Sequence, residues 1–158
     1  MLPVMDAGNY LLTDQIYVMK MLRENLDGNK PSRSRKTQPG YGLKIETLPF
    51  DWETDAASNV IDAVGGKEEI DLIVACDCIY NEYLIPHLIA SFASLCGLQS
   101  DRTKRKTAVL IAQQLRSEEV LEAWLEQMLK LFVVFRVPPS LLSPSLHSGY
   151  VLHVGILR

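Results

Sequence analysis

Hydrophobic and polar positions along the chain follow two periods, one typical of strands and one typical of helices. Leu72–Ala75 and Ala108–Ala112 are continuously apolar, as are strands buried on both faces of a parallel sheet. A period of about 3.6 residues is clearest between Ser117 and Phe132. The pattern predicts strands at Tyr10–Thr13, Leu43–Leu48, Asp71–Cys76, Ala108–Ala112, Val133–Val137 and Tyr150–Leu157. It predicts helices at Gln15–Asn25, Thr54–Gly66, Tyr83–Leu95 and Ser117–Phe132.

The order of these elements favours an α/β fold. Strands and helices alternate as far as Phe132, which indicates a parallel sheet with helices on both faces. Only the proline- and serine-rich stretch Pro138–Gly149 joins the last two predicted strands, and it contains no helix. We therefore expect these two strands to pair as an antiparallel hairpin at the edge of the sheet.

Length and breaker residues indicate a single domain over residues 1–158, with surface loops at residues 30–42 and 99–106. A chain of about 150 residues buries enough surface to fold without a disulfide or a metal ion. The first loop is rich in lysine, arginine, proline and glycine, which is typical of a solvated segment. Contact of this basic loop with an acidic partner or with RNA is the alternative.

Composition and charge exclude several classes of protein. With 47% hydrophobic and 22% charged residues, the chain is neither disordered nor repetitive. The formal net charge of −3 argues against a broad nucleic-acid surface, so we expect no DNA partner. Apolar runs are too short for the ~18 residues of a membrane span, and Met1–Asn9 lacks the basic residues of a signal peptide. We expect a cytoplasmic or nuclear protein without a membrane partner, and the sequence does not predict its oligomeric state.

The cysteines indicate a reducing compartment and no metal centre. Cys76 and Cys78 are too close in sequence for a routine disulfide. A tetrahedral zinc site needs about four ligands, and only Cys96 and scattered histidines remain to complete one. We therefore expect no bound metal and a packing role for Cys78.

Four segments in order along the chain resemble a single family. They are Tyr10-Leu-Leu-Thr-Asp14-Gln15, Phe50-Asp51-Trp52-Glu53, Asp71-Leu-Ile-Val-Ala-Cys76-Asp77-Cys-Ile-Tyr80 and the tail Gly149-Tyr-Val-Leu-His-Val-Gly-Ile-Leu. These segments are similar to motifs of the seven-β-strand protein-lysine methyltransferases called family 16. The resemblance implies a class I methyltransferase fold, a Rossmann-like sheet that binds S-adenosyl-L-methionine (SAM) and ends in an antiparallel β-hairpin.

The resemblance also implies that one part of this fold is missing. The family's first strand and glycine-rich turn should come just before Tyr10, but Gly8 is the only glycine of Met1–Asn9. In the family, that strand lies at the centre of the sheet, between the strands that match Tyr10–Thr13 and Asp71–Cys76. We therefore expect an N-terminally incomplete domain with two unpaired strand edges, a gap that Met1–Asn9 does not fill.

Three residues are implied to bind SAM. Asp14 ends a predicted strand, where ligands of open α/β sheets bind, and its carboxylate can accept hydrogen bonds from both ribose hydroxyls. Asp is also a preferred helix N-cap, so the alternative role of Asp14 is to cap the helix that follows, and it could fill both roles at once. Trp52 offers a flat apolar face for adenine, with a role in the core as its alternative. The resemblance assigns Cys76 to the adenine pocket.

Asp77 and Tyr80 are the candidate catalytic pair. They lie three residues apart where a strand passes into a helix, so they can face the same side of a site. Methyl transfer from a sulfonium needs a neutral amine, whereas a free lysine has a pKa of about 10.4. A desolvated site lowers that pKa, and oxygen acceptors orient the lone pair for direct displacement. Helix capping and packing are the alternative for both residues.

The resemblance therefore predicts a SAM-dependent protein-lysine N-methyltransferase. Its expected partner is a protein substrate, either a ribosomal protein or another cytosolic protein. In one form of this hypothesis the incomplete chain has lost its methyltransferase activity. Two alternatives stay open: a non-catalytic methyltransferase remnant that binds a partner protein, and a methyltransferase that acts on RNA or a small molecule.

Overall fold

Six strands and four α-helices alternate in the computed structural model, which describes residues 9–29, 44–63, 70–98 and 105–158. The strands are β1 (Asn9–Asp14), β2 (Lys44–Pro49), β3 (Leu72–Cys76), β4 (Ala108–Gln114), β5 (Phe132–Arg136) and β6 (Tyr150–Leu157). The helices are α1 (Met19–Gly28), α2 (Ser58–Ala63), α3 (Ile85–Gly97) and α4 (Glu118–Leu131). Short 3-10 turns lie at Glu82–Leu84, Pro139–Leu141 and Pro144–Leu146.

The strands form two sheets. In the first, β1 and β2 pair in parallel. In the second, the order is β3-β4-β6-β5, with β3 parallel to β4 and β6 antiparallel to both of its neighbours. The predicted antiparallel hairpin of β5 and β6 is therefore confirmed. Of these two strands, β5 is at the edge of the sheet, and β6 lies between β4 and β5.

The break between the two sheets lies where the resemblance implies a central strand. Among the described residues, β1 pairs with β2 alone and β3 pairs with β4 alone. Residues 1–8 lie outside the described ranges, as do residues 30–42 and most of the loop at 99–106. The expectations for these segments, the unfilled gap and the surface loops, stay predictions.

Strand β3 is less buried than its continuous apolar sequence predicts. Ala75 is its only buried residue, while Val74 and Cys76 are exposed. The reason is the position of the strand, since β4 covers one edge and no described residue pairs with the other. The prediction of a fully buried strand over Asp71–Cys76 is wrong for the described part of the protein.

One face of the four-stranded sheet carries the main hydrophobic core. Helices α3 and α4 pack together on this face, and Trp124, Met128 and Phe132 are fully buried there. The predicted apolar seam from Ser117 to Phe132 is thus confirmed as core. The opposite face stays partly exposed, for example at Leu110 and Val154, so helices on both faces are not found within the described ranges.

Helix α1 begins later than the sequence predicts. The predicted helix starts at Gln15, but Val18 donates to the Gln15 carbonyl in a turn and the helix starts at Met19. Ile16, which was counted as part of the apolar face of the helix, lies in this turn and is 72% exposed. Asp14 accepts a hydrogen bond from the Gln15 N–H at 2.8 Å and does not cap α1, so the capping alternative is wrong.

Helix α2 begins later than the predicted helix over Thr54–Gly66. It starts at Ser58, because a turn at Asp51–Asp55 precedes it, and residues 64–69 lie outside the described ranges. In that turn the Asp55 carboxylate accepts the Asp51 N–H at 2.7 Å, and the Asp51 carboxylate accepts the Glu53 N–H at 2.9 Å. These side-chain bonds compete with helix formation, which is typical of aspartate.

Candidate functional site

The carboxyl ends of β1 and β2 are joined by two hydrogen bonds. The Phe50 N–H donates to the Asp14 carbonyl at 2.9 Å. The Gln15 side-chain amide donates to Asp51 Oδ2 at 3.3 Å. The parallel pairing places Asp14 opposite Pro49, so the first two motifs of the sequence lie side by side at one edge.

Asp77 occupies a strained turn at the carboxyl end of β3. Its φ is 54°, and it is the only non-glycine residue with positive φ among the described residues. Its N–H donates to the Ala112 carbonyl of β4 at 2.7 Å, which holds the turn in place. Its carboxylate accepts a hydrogen bond from Arg116 Nη2 at 2.6 Å. Strain of this kind is frequent at functional sites, where surrounding contacts maintain it.

The half-buried thiol of Cys78 connects the ends of β1 and β3. Burial, together with smaller contributions from the neighbouring Cys76 and from the carboxylates of Asp14 and Asp77, raises its pKa to about 11. These electrostatic interactions require Asp14 to lie near Cys78, although β1 and β3 belong to different sheets. The structure thus brings Asp14, Cys76 and Asp77 to one edge of the molecule. Cys78 also packs against the main core, as expected.

Trp52 is half-buried between the two hydrophobic clusters of the protein. Its carbonyl accepts a hydrogen bond from the Ser91 hydroxyl at 3.4 Å. The structure therefore gives Trp52 a packing role, and its role in binding adenine stays a prediction.

Two cavities lie at this edge. The smaller, of about 50 Å³, is lined by Ile79, Tyr80, Gln113, Gln114, Arg116, Ser117 and Val120. The larger is an open groove of about 560 Å³ beside Asp51 and α2. Neither cavity is lined by Asp14, Trp52 or Cys76. Tyr80 is 61% exposed and lines the smaller cavity together with Arg116, the hydrogen-bond partner of Asp77. Asp77 itself does not line this cavity, and the catalytic role of the pair stays a prediction.

Three residues of this site, Gln113, Gln114 and Arg116, were not predicted from the sequence. The Arg116 Nε donates to Gln114 Oε1 at 3.0 Å, while its Nη2 binds Asp77. Gln113 is 3% exposed, and its Oε1 has no hydrogen-bond partner among the described residues. The predicted strand stopped at Ala112, two residues before β4 ends, so the polar residues that follow were assigned to a connection. The rule that ligands bind at the carboxyl ends of parallel strands identifies all three once the strand is extended.

The described residues contain neither a metal-binding cluster nor a membrane-spanning helix. No group of three or more His, Cys, Asp or Glu side chains there is arranged to hold a metal ion. No helix in the described ranges is long and apolar enough to cross a membrane.

A comparison with protein families identifies the chain. A family described as lysine methyltransferase matches residues 3–130, which include all of the site described above. The chain belongs to the lysine methyltransferase family. Its mixed α/β fold, with a sheet and packed helices, is consistent with a methyltransferase fold.

Several curated proteins are similar to this methyltransferase-family chain. It is 27% identical over 171 positions to ribosomal lysine N-methyltransferase 5 of Vanderwaltozyma polyspora, an alignment that covers 92% of the chain and 52% of that protein. The protein of the same name from Kluyveromyces lactis is also 27% identical, with 95% and 52% covered. A diaminohydroxyphosphoribosylamino-pyrimidine deaminase of Schizosaccharomyces pombe is 32% identical over 132 residues, with 81% of the chain and 27% of that protein covered. The chain therefore spans about half or less of the length of these relatives.

Proposed function

We propose that this protein is a SAM-dependent protein-lysine N-methyltransferase. The observation that carries the proposal is the convergence of Asp14, Cys76 and Asp77 at one edge of the molecule. These residues come from two motifs that are far apart in the sequence, Tyr10–Gln15 and Asp71–Tyr80. The chain belongs to the lysine methyltransferase family, so the expected chemistry at this edge is methyl transfer to a lysine amine.

The chemistry of Asp14 fits the ribose of SAM. Its Oδ1 accepts the Gln15 N–H, and no hydrogen bond to its Oδ2 is found within the described ranges. A carboxylate with a free oxygen at the end of a strand can accept the hydrogen bonds of a diol. When bound, SAM supplies an electrophilic methyl group on a positively charged sulfur. In this proposal Trp52 and Cys76 line the adenine side of the same site.

Asp77 and Tyr80 are proposed to position the lysine amine. The carboxylate attracts the protonated side chain, and the phenol oxygen provides a second acceptor that fixes its direction. The amine must lose a proton before its lone pair can attack, and burial next to apolar groups such as Ile79 favours the neutral form. Direct displacement then needs only alignment of the amine with the methyl group, and no covalent enzyme intermediate.

The substrate class follows from the relatives. Two of the relatives reported above are named ribosomal lysine N-methyltransferase 5, so we propose a lysine of a ribosomal protein in the cytoplasm as the acceptor.

A labelled-methyl assay tests the proposed function. The chain is incubated with SAM carrying a radioactive methyl group and with ribosomal proteins, and the labelled amino acids are analysed after acid hydrolysis. We expect labelled methyl-lysine, and a loss of about 100-fold in rate for Asp77→Asn. The control Asp62→Asn removes an exposed carboxylate of α2 and should retain the rate. Label that appears only in RNA, or no label at all, would contradict the proposal.

A second candidate is a non-catalytic module that binds a partner protein. It is favoured by the unpaired edges of β1 and β3, each of which has a neighbouring strand on one side only within the described residues. Such edges can pair with a strand of another chain. Sedimentation velocity distinguishes the candidates, because this module predicts association that depends on concentration, with no affinity for SAM.

A further inference from the structure

We infer that, when no substrate is present, Arg116 occupies the position in which the lysine ammonium of the substrate binds. In this view Asp77 and Gln113 form a small cation site, Arg116 fills it in the free protein, and a primary ammonium displaces the guanidinium. Arg116 is thus a positioning residue that tunes affinity for the substrate. The inference rests on the proposed function for the identity of the cation. It adds to that function the competition between the Arg116 guanidinium and the lysine ammonium for Asp77.

The first observation is the bond between Arg116 and Asp77. Arg116 Nη2 lies 2.6 Å from Asp77 Oδ2, and the two side chains are 58% and 44% exposed. An ion pair this exposed contributes only about 0–1 kcal/mol, because water competes with it. The Asp77 carboxylate is therefore held by a cation that a second cation can replace.

The second observation is the size and the lining of the smaller cavity. Its volume of about 50 Å³ exceeds the roughly 30 Å³ that one water molecule occupies in the liquid. It can hold an amine head group but not a nucleoside. Ile79 and Val120 line it together with the polar side chains, and such apolar walls suit the methylene stem of a lysine.

The third observation is the unpartnered oxygen of Gln113. This side chain lines the cavity and is 3% exposed, yet its Oε1 accepts no hydrogen bond from the part of the chain that the structure describes. A buried acceptor without a donor costs about 1–3 kcal/mol, so it is rarely retained without a use. Arg116 lines the same cavity but does not satisfy this oxygen; its Nε donates to Gln114 and its Nη2 donates to Asp77.

An ammonium matches these acceptors better than the guanidinium does. A lysine ammonium has three donors around one nitrogen, which can be shared between Asp77, Gln113 and a third acceptor such as the Tyr80 hydroxyl. The donors of arginine are fixed in one plane, and the bonds of Nε to Gln114 and of Nη2 to Asp77 set the direction of that plane. Substrate binding therefore replaces the exposed Arg116–Asp77 ion pair with hydrogen bonds from the ammonium to several acceptors, and the buried Gln113 Oε1 is one of them.

Binding of a small lysine probe tests this inference directly. The probe is Nα-acetyl-lysine methylamide, and its matched control is the norleucine analogue, which has the same stem without the amine. The Arg116 Nε–H resonance is followed by NMR during titration of the full chain. We expect the lysine probe to shift this resonance, and the norleucine analogue to leave it unchanged.

Three variants sharpen the test. Arg116→Gln removes the competitor and should tighten lysine-probe binding about two- to fivefold, the range that an exposed ion pair allows. Arg105→Gln removes a matched exposed arginine paired with Asp71 at the other end of β3, and should change the affinity little. Gln113→Leu removes the buried acceptor and should weaken the probe without loss of stability. Equal or weaker binding to Arg116→Gln, or equal binding of both probes, would overturn the inference.

This test is independent of the proposed function because it contains no SAM. If the lysine probe displaces Arg116 but no methyl-lysine is formed in the labelled-methyl assay, the cation site stands and the proposed function fails. If methyl-lysine is formed but Arg116→Gln leaves both probe affinity and KM for the protein substrate unchanged, the proposed function stands and the inference fails.

Discussion

Backbone strain at Asp77 can be measured by comparing two substitutions. Asp77 has a φ of 54°, in the left-handed region that costs a residue with a Cβ atom roughly 1–2 kcal/mol. In Asp77→Gly this cost disappears, while the extra freedom of glycine in the unfolded chain costs about 0.4–1 kcal/mol. Both Asp77→Gly and Asp77→Ala lose the bond to Arg116, so that loss cancels in the comparison. We expect the glycine variant to be the more stable by about 1 kcal/mol.

Urea denaturation of the two variants measures this difference as a shift in midpoint at constant m-value. In thermal unfolding, 1 kcal/mol corresponds to about 2–4 °C for a chain of this size. Asp71 provides the control, because it is an exposed aspartate at the other end of β3 with no positive φ. At Asp71 the order should reverse, with alanine more stable than glycine. If Asp77→Ala is as stable as Asp77→Gly, the strain does not exist and the geometric argument for the site loses a main support.

Three further predictions concern stability and thiol chemistry. Ser117→Ala should cost about 1 kcal/mol in urea denaturation, because the Ser117 hydroxyl caps α4; a variant as stable as the parent would refute the cap. Burial, and after it the charge of Arg136, lowers the pKa of His153 below its usual 6.5, so the unfolded state binds the proton at the higher pH. Stability should therefore be constant above about pH 7 and fall as the pH drops below 6.5 toward the folded-state value, a fall that is absent in His153→Leu if the assignment is right. The Cys78 thiol, with a pKa of about 11, should react with iodoacetamide at pH 8 far more slowly than the exposed Cys76, and equal rates in peptide mass spectrometry would contradict its burial.

Much of the fold could be predicted from the sequence because strong periodic patterns determine it. The seam at Trp124 and Met128 has a clear helical period, and both residues are fully buried. The hairpin of β5 and β6 followed from the absence of a helix between two strands. Such features depend on local pattern and on general rules of topology.

The errors occurred where tertiary contacts override the local pattern. Ile16 fits the helical period but is exposed, and α1 begins only at Met19. Continuous apolar sequence predicted a buried β3, but burial of a strand depends on neighbours that come from elsewhere in the chain. The capping alternative for Asp14 failed for the same reason, because the turn that follows it delays the helix.

The candidate site was predicted in part. Asp77 and Tyr80 were singled out because the segment Asp71–Tyr80 resembles a family motif that ends in this pair, and both residues follow a strand whose end was easy to identify. Arg116 and Gln113 were missed because the end of β4 was placed too early, and their importance depends on contacts across the fold. The ion pair of Arg116 joins residues 39 positions apart, and sequence pattern alone does not predict such a pair.

Calorimetric titration with S-adenosylhomocysteine, the demethylated product of SAM, tests the central claim most directly. We expect binding on the order of micromolar, weakened about 10- to 100-fold by Asp14→Ala, which is the range for hydrogen bonds to a charged group. Asp62→Ala, which removes an exposed carboxylate of α2, should bind as the parent chain does. A folded chain that releases no heat at millimolar ligand, or an Asp14→Ala variant that binds as tightly as the parent, would contradict the assignment of this edge as a SAM site.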